Sequence, residues 1–123
     1  MVILATFLGV AALVQQPPAT PPEPELAVIS ARLGDCSADF TVIDEDRRPV
    51  YAAVVHVRIR YGFMSLKRMD LEVGTDSNGR ARVEGLPAKA RPLTYDVSRA
   101  GKKATVEQDL STACQASYEV LLK

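Results

Sequence analysis

The chain has 123 residues, 15 Lys and Arg against 15 Asp and Glu, one His, two Cys and no Trp. Its 47% apolar content is that of one ordinary globular domain and argues against disorder. Zero formal net charge leaves no basic footprint for nucleic acid, and a single His with two Cys leaves a four-ligand zinc site short of donors, so no metal and no cofactor is expected.

Residues Val2 to Val14 are apolar or small apart from Thr6. As a helix the run is about 20 Å long, too short for a bilayer core of about 30 Å, so no stable membrane span is expected. Its length suits a signal peptide over 1–14, and the small residues Val10-Ala11-Ala12 place cleavage near Ala12. No Lys or Arg precedes the run, which leaves either the terminal amine as its only positive charge or a start codon upstream. The alternative, an N-terminal core helix or strand, lacks caps and periodicity. Residues 15–25 hold five of the eight prolines and read as an extended linker. The domain then occupies 26–123, and a secreted or periplasmic location follows from the leader.

Leu26 to Leu33 reads as an extra strand, turned by Gly34-Asp35. From Ala38 onward, short alternating segments separated by turn residues give the pattern of an all-β sandwich. In Val50 to Tyr61 the odd positions are all apolar, Tyr51 and Ala53 included, while His56, Arg58 and Arg60 take the other face. Lys67 to Val73 repeats the parity: Met69, Leu71 and Val73 point inward, Arg68, Asp70 and Glu72 outward. These two strands pair through a loop around Gly62-Phe63-Met64-Ser65, setting the basic row beside Asp70 and Glu72. Thr75-Asp76-Ser77-Asn78-Gly79 is a tight hairpin turn. Ala81 and Val83, then Leu93, Tyr95 and Val97, point inward. Ala104, Val106 and Leu110 follow on even positions, interrupted by Gln108. Cys114, Ala116, Tyr118, Val120 and Leu122 share one face of the last strand.

Cys36 and Cys114 both fall on inward faces, of the first and last main strands, which are commonly neighbours in a sandwich. In an exported chain this predicts a Cys36–Cys114 disulfide, the alternative being a pair of buried thiols.

The segment from Asp44 through Arg47-Arg48-Pro49-Val50 to Val55, followed by Thr75-Asp76-Ser77-Asn78-Gly79, Gly85-Leu86-Pro87 and Tyr95-Asp96-Val97, resembles carboxypeptidase regulatory-like domains in order and spacing. The resemblance runs from Ala38 to Leu122 and implies a seven-stranded immunoglobulin-like or prealbumin-like (transthyretin-like) sandwich, usually accessory and not itself catalytic. Arg47-Arg48 stands where Gly is often found in the first turn, and Ala88 to Leu93 replaces a short Gly turn, so no functional residue is carried over.

Catalytic motifs are absent: His56 stands mid-strand on the charged face, away from any nucleophile elbow. The transthyretin-like fold also serves hydroxyisourate hydrolases, which rely on several histidines and a C-terminal Tyr-Arg-Gly-Ser. This chain has one His and ends Glu119-Val120-Leu121-Leu122-Lys123. The acidic turns Asp44-Glu45-Asp46 and Asp76-Ser77-Asn78 offer oxygen ligands to calcium, but Asp and Asn are equally what turns require. A carbohydrate-binding module needs exposed rings, and parity turns Tyr51, Tyr61, Tyr95 and Tyr118 inward. Phe63 and Met64 at the hairpin tip are left as the candidate partner surface, against the alternative of a tip folded onto the sandwich end. The expectation is an exported, non-catalytic module for protein binding or structural support, with an unidentified protein or glycan partner; the rivals are carbohydrate binding and a small hydrolase.

Overall fold

A computed structural model describes residues 27–89 and 91–123. The expected signal peptide, its cleavage near Ala12 and the expected linker lie outside the described residues. Eight strands run in chain order: β1 (Ala27–Ser30), β2 (Cys36–Ile43), β3 (Val54–Tyr61), β4 (Lys67–Gly74), β5 (Arg80–Leu86), β6 (Leu93–Arg99), β7 (Lys102–Gln108) and β8 (Gln115–Leu121). They form two four-stranded sheets, ordered β1-β5-β2-β8 and β4-β3-β6-β7. The extra strand at the N-terminus is therefore present, shorter than Leu26 to Leu33. It pairs parallel to β5, while β8 pairs parallel to β2.

Alternating sequence explains the sandwich. On β3, Val55, Val57 and Ile59 are buried, as are Leu93, Tyr95 and Val97 on β6; they meet Ala38, Phe40 and Val42 of β2, Ala81 and Val83 of β5, and Val120 of β8. Phe40 lies at the centre of this layer. Its ring is 4.7 Å from that of Tyr95, edge-on, and 5.7 Å from that of Tyr118, stacked. Such aromatic contacts add to the area term that drives burial.

The turns are built by side chains. Asp44 Oδ1 accepts the N–H groups of Asp46 and Arg48, and Asp76 Oδ1 accepts those of Asn78 and Arg80. One oxygen of each carboxylate is thus engaged by backbone, as turn chemistry requires. Among the described residues no group of three or more His, Cys, Asp or Glu is gathered to hold a metal ion. Thr75 is buried where β4 ends; its hydroxyl accepts the Ala53 N–H and donates to the Val50 carbonyl, tying that turn to the start of β3.

Cys36 and Cys114 form the expected disulfide, with Cα atoms 4.6 Å apart across 78 residues of sequence. The β2–β8 pairing, in which Ser37 lies opposite Gln115, brings them together.

Three expectations are corrected. The strand expected over Val50 to Tyr61 begins only at Val54, because 44–53 crosses from one sheet to the other. Ala52 turns there with φ 59°, and its N–H donates to the Thr75 carbonyl. Tyr51, on that crossing, is consequently 65% exposed where parity turned it inward. Gln108, the apparent break in an apolar row, is fully buried and structural. Its Nε2 donates to the carbonyls of Ser37 (3.0 Å) and Ala113 (2.8 Å), and its Oε1 accepts the Tyr95 hydroxyl at 2.6 Å.

Candidate functional site

β3 sends His56, Arg58 and Arg60 to the outer face of its sheet, and register chooses what each meets. Against β4, His56 lies opposite Glu72, Arg58 opposite Asp70 and Arg60 opposite Arg68; against β6, His56 lies opposite Asp96. Asp70 serves two neighbours: Arg58 Nε donates to its Oδ1 at 3.0 Å, and His56 Nε2 sits 3.2 Å from the same oxygen. The hydrogen bond from Arg58 is the main influence holding the Asp70 carboxyl below its ordinary value. On the other side His56 Nδ1 is 3.9 Å from Asp96 Oδ2. The expected basic row beside Asp70 and Glu72 therefore exists, with Arg60 its exception.

The ladder between β3 and β6 covers only Val54–Val57 against Tyr95–Ser98. Beyond Val57 and Tyr95 that pairing stops, and a cleft of about 420 Å³ opens between the ends of the two strands. Arg60 and Arg91 stand at its far end, His56 and Asp96 at the paired end, with Thr94 between them. Pro92 and Leu93 supply an apolar wall. Neither Arg60 nor Arg91 makes an ion pair among the described residues, whereas Arg58 and Arg82 are committed to carboxylates.

Parity placed His56, Arg58 and Arg60 on the outer face. It had no purchase on Arg91, which lies outside any strand, and it gave no hint that β3 and β6 part company.

The Phe63 and Met64 tip lies beyond the arginine end of this cleft, and neither residue lines it. A tight irregular turn, Phe63–Ser65, caps the β3–β4 hairpin, with the Ser65 N–H donating to the Gly62 carbonyl and the Leu66 N–H to the Phe63 carbonyl. Phe63 is 84% exposed, Met64 77% and Leu66 79%, so the tip does not fold onto the sandwich end. Leu66 was missed, although it shares the outward parity of Arg68 and Asp70. Phe63 is also not the one exposed ring, since Tyr51 is exposed at the opposite end.

No family model matches the chain, and no curated protein does. Among solved structures it is similar to catechol 1,2-dioxygenase from Pseudomonas arvilla C-1 (TM-score 0.54, 13% identity), covering 82% of this chain and 58% of that one. It is also similar to chlorocatechol 1,2-dioxygenase from Pseudomonas putida (TM-score 0.52, 12% identity), covering 87% of this chain and 70% of that one. At such identities the likeness is one of fold. It nevertheless corrects the expectation of a non-catalytic module for protein binding or structural support, because proteins with this sandwich include enzymes and the architecture gives no ground for reading catalysis out.

Proposed function

We propose that the domain binds a small oxyanionic molecule, a carboxylate or phosphate ester, in the cleft where β3 and β6 diverge. The observation that carries this reading is the pair Arg60 and Arg91, two guanidinium groups on one cleft with no carboxylate partner among the described residues. Planar guanidinium groups match carboxylate and phosphate oxygens in two parallel hydrogen bonds, which makes such a pair a recognition device. Thr94 adds a hydroxyl, and the wall of Pro92 and Leu93 suits a hydrocarbon portion. His56 beside Asp96 supplies groups able to take or give a proton at the bound molecule.

The resemblance to carboxypeptidase regulatory-like domains belongs to the same reading. It is supported by the Asp76 turn, by Gly85-Leu86-Pro87 closing β5, and by Tyr95 at the centre of β6. A secreted or periplasmic location is supported by the disulfide, a bond that persists in oxidising compartments.

Titration of the isotope-labelled protein with inorganic phosphate and, separately, benzoate tests the site by NMR. Saturable shifts are expected within 56–60 and 91–96, and Arg60→Gln or Arg91→Gln each weakens binding about tenfold, the value of one charge-assisted hydrogen bond. The two titrations distinguish phosphate from carboxylate. Shifts that never saturate, or that persist in the double variant, overturn the reading.

A further inference from the structure

The β3–β4 hairpin ends in three apolar side chains, Phe63, Met64 and Leu66, each more than three-quarters exposed. Solvent exposure of a single apolar residue needs no explanation, but three on one protruding turn form a patch. The turn is preformed. Two backbone hydrogen bonds close it, and Gly62, Met64 and Ser65 all hold positive φ, at 79°, 53° and 57°. For Met64 and Ser65 that conformation is strained, and the strain serves to turn the chain so that its side chains project.

Cations lie at the base of the patch. Arg60 and Lys67 flank the turn along β3 and β4, with Arg68 next to them. The β5–β6 loop lies against the same hairpin, its Lys89 and Arg91 sharing a groove with Arg60, Gly62 and Ser65. The acidic residues of the loops at this end, Asp35 and Asp109, belong to the β1–β2 and β7–β8 connections. The hairpin end, residues 60–68, and the 87–92 loop carry no acid; the hairpin's own carboxylates, Asp70 and Glu72, lie further along β4.

We infer that this hairpin tip docks the domain on an anionic phospholipid surface, with Phe63, Met64 and Leu66 entering the headgroup–acyl boundary and the five cations at its base meeting lipid phosphates. Charge complementarity selects this occupant. Interfacial binding scales with buried apolar area plus attraction between basic residues and anionic lipid, and a small apolar prow with basic residues at its base supplies both. A protein partner fits less well, since the core of such an interface is broad and depleted of Lys. The inference goes beyond the oxyanion cleft: it shares Arg60 and Arg91 with that site but does not require a small molecule to bind there.

The absence of Trp makes the test direct. In the full chain, Phe63→Trp introduces a single indole at the tip without touching the core. With vesicles of phosphatidylcholine and roughly one-third phosphatidylglycerol, its emission is expected to shift to the blue and to be quenched by brominated acyl chains, with partitioning at least about tenfold weaker on pure phosphatidylcholine. Lys89→Gln with Lys67→Gln should weaken it, and Leu66→Trp should report the same insertion. An indole that stays solvent-like while the chain binds vesicles overturns the inference, because another segment is then the anchor. So does a blue shift that needs no lipid and grows with protein concentration, which assigns the tip to self-association. Phosphate titration of Phe63→Trp reads the cleft separately, so loss of one property leaves the other visible.

Discussion

Gln108 and Tyr95 carry a polar bridge through an otherwise apolar interior. Three hydrogen bonds satisfy the amide, and the phenol that donates one of them is fully buried. Replacing Gln108 with Leu preserves volume but orphans the Tyr95 hydroxyl and the Ser37 and Ala113 carbonyls. A loss of about 3 kcal/mol is expected, read as a lowered urea midpoint at unchanged slope. Tyr95 also makes stability depend on pH. Burial, reinforced by Tyr118, pushes its ionisation far above the ordinary value, so the folded state keeps the proton after the unfolded state has lost it. The phenol's contribution is therefore complete below the unfolded value of about pH 10 and declines as pH rises toward the folded one. Alkaline melting curves should show Tm falling from about pH 10 upward, and Tyr95→Phe should remove that part of the slope. On the outer face, Asp70 works in the opposite sense: held low mainly by Arg58, it favours the fold above its unfolded value and loses that effect as pH falls.

Among the elements, the β4–β5 turn shows how a local motif becomes a packing contact. Asp76 shapes it, yet Gly79 decides where it sits: the Val42 N–H donates to the Gly79 carbonyl at 2.7 Å, and a Cβ at Gly79 would run into the Val42 carbonyl oxygen and crowd Pro49. Its φ of 72° adds to the reason for glycine. Gly79→Ala is expected to cost about 2 to 4 kcal/mol, as a clash with backbone on top of a left-handed conformation. Gly74→Ala, where a Cβ meets nothing within 4 Å, should stay within about 0.5 kcal/mol. The two variants compared by urea denaturation separate docking of the turn from glycine content.

For the whole molecule, the disulfide is the covalent tie within the β1-β5-β2-β8 sheet. It joins the start of β2 to the residue preceding β8, the two strands that run parallel over Ser37–Ile43. Closing a loop of 78 residues should stabilise the fold by about 4 kcal/mol in the chain-entropy view. Reduction, or Cys36→Ala with Cys114→Ala, is expected to lower the urea midpoint accordingly. An unchanged midpoint would mean that the parallel pairing closes the sheet without help.

Alternation along each strand is a local property, and it was enough to place Val55, Val57, Ile59, Leu93, Tyr95 and Val97 inside and His56, Arg58 and Asp70 outside. Turn chemistry is equally local, so the Asp44 and Asp76 turns could be read from composition alone. The cysteines could be paired because both parities pointed inward. Contacts between distant segments obey no such period. Tyr51 lies on a crossing between sheets, where alternation has no meaning. Gln108 is tolerated inside only because Tyr95, Ser37 and Ala113 converge on it, and Arg91 meets Arg60 only because the β3–β6 ladder ends early. Period-two patterning is set by the geometry of one strand, so the sequence by itself determined which side chains face in, how the turns close and which cysteines pair. Where the strands separate, and which polar groups then share a buried pocket or an open cleft, depends on packing among residues far apart in the chain, and that was decided by the tertiary structure.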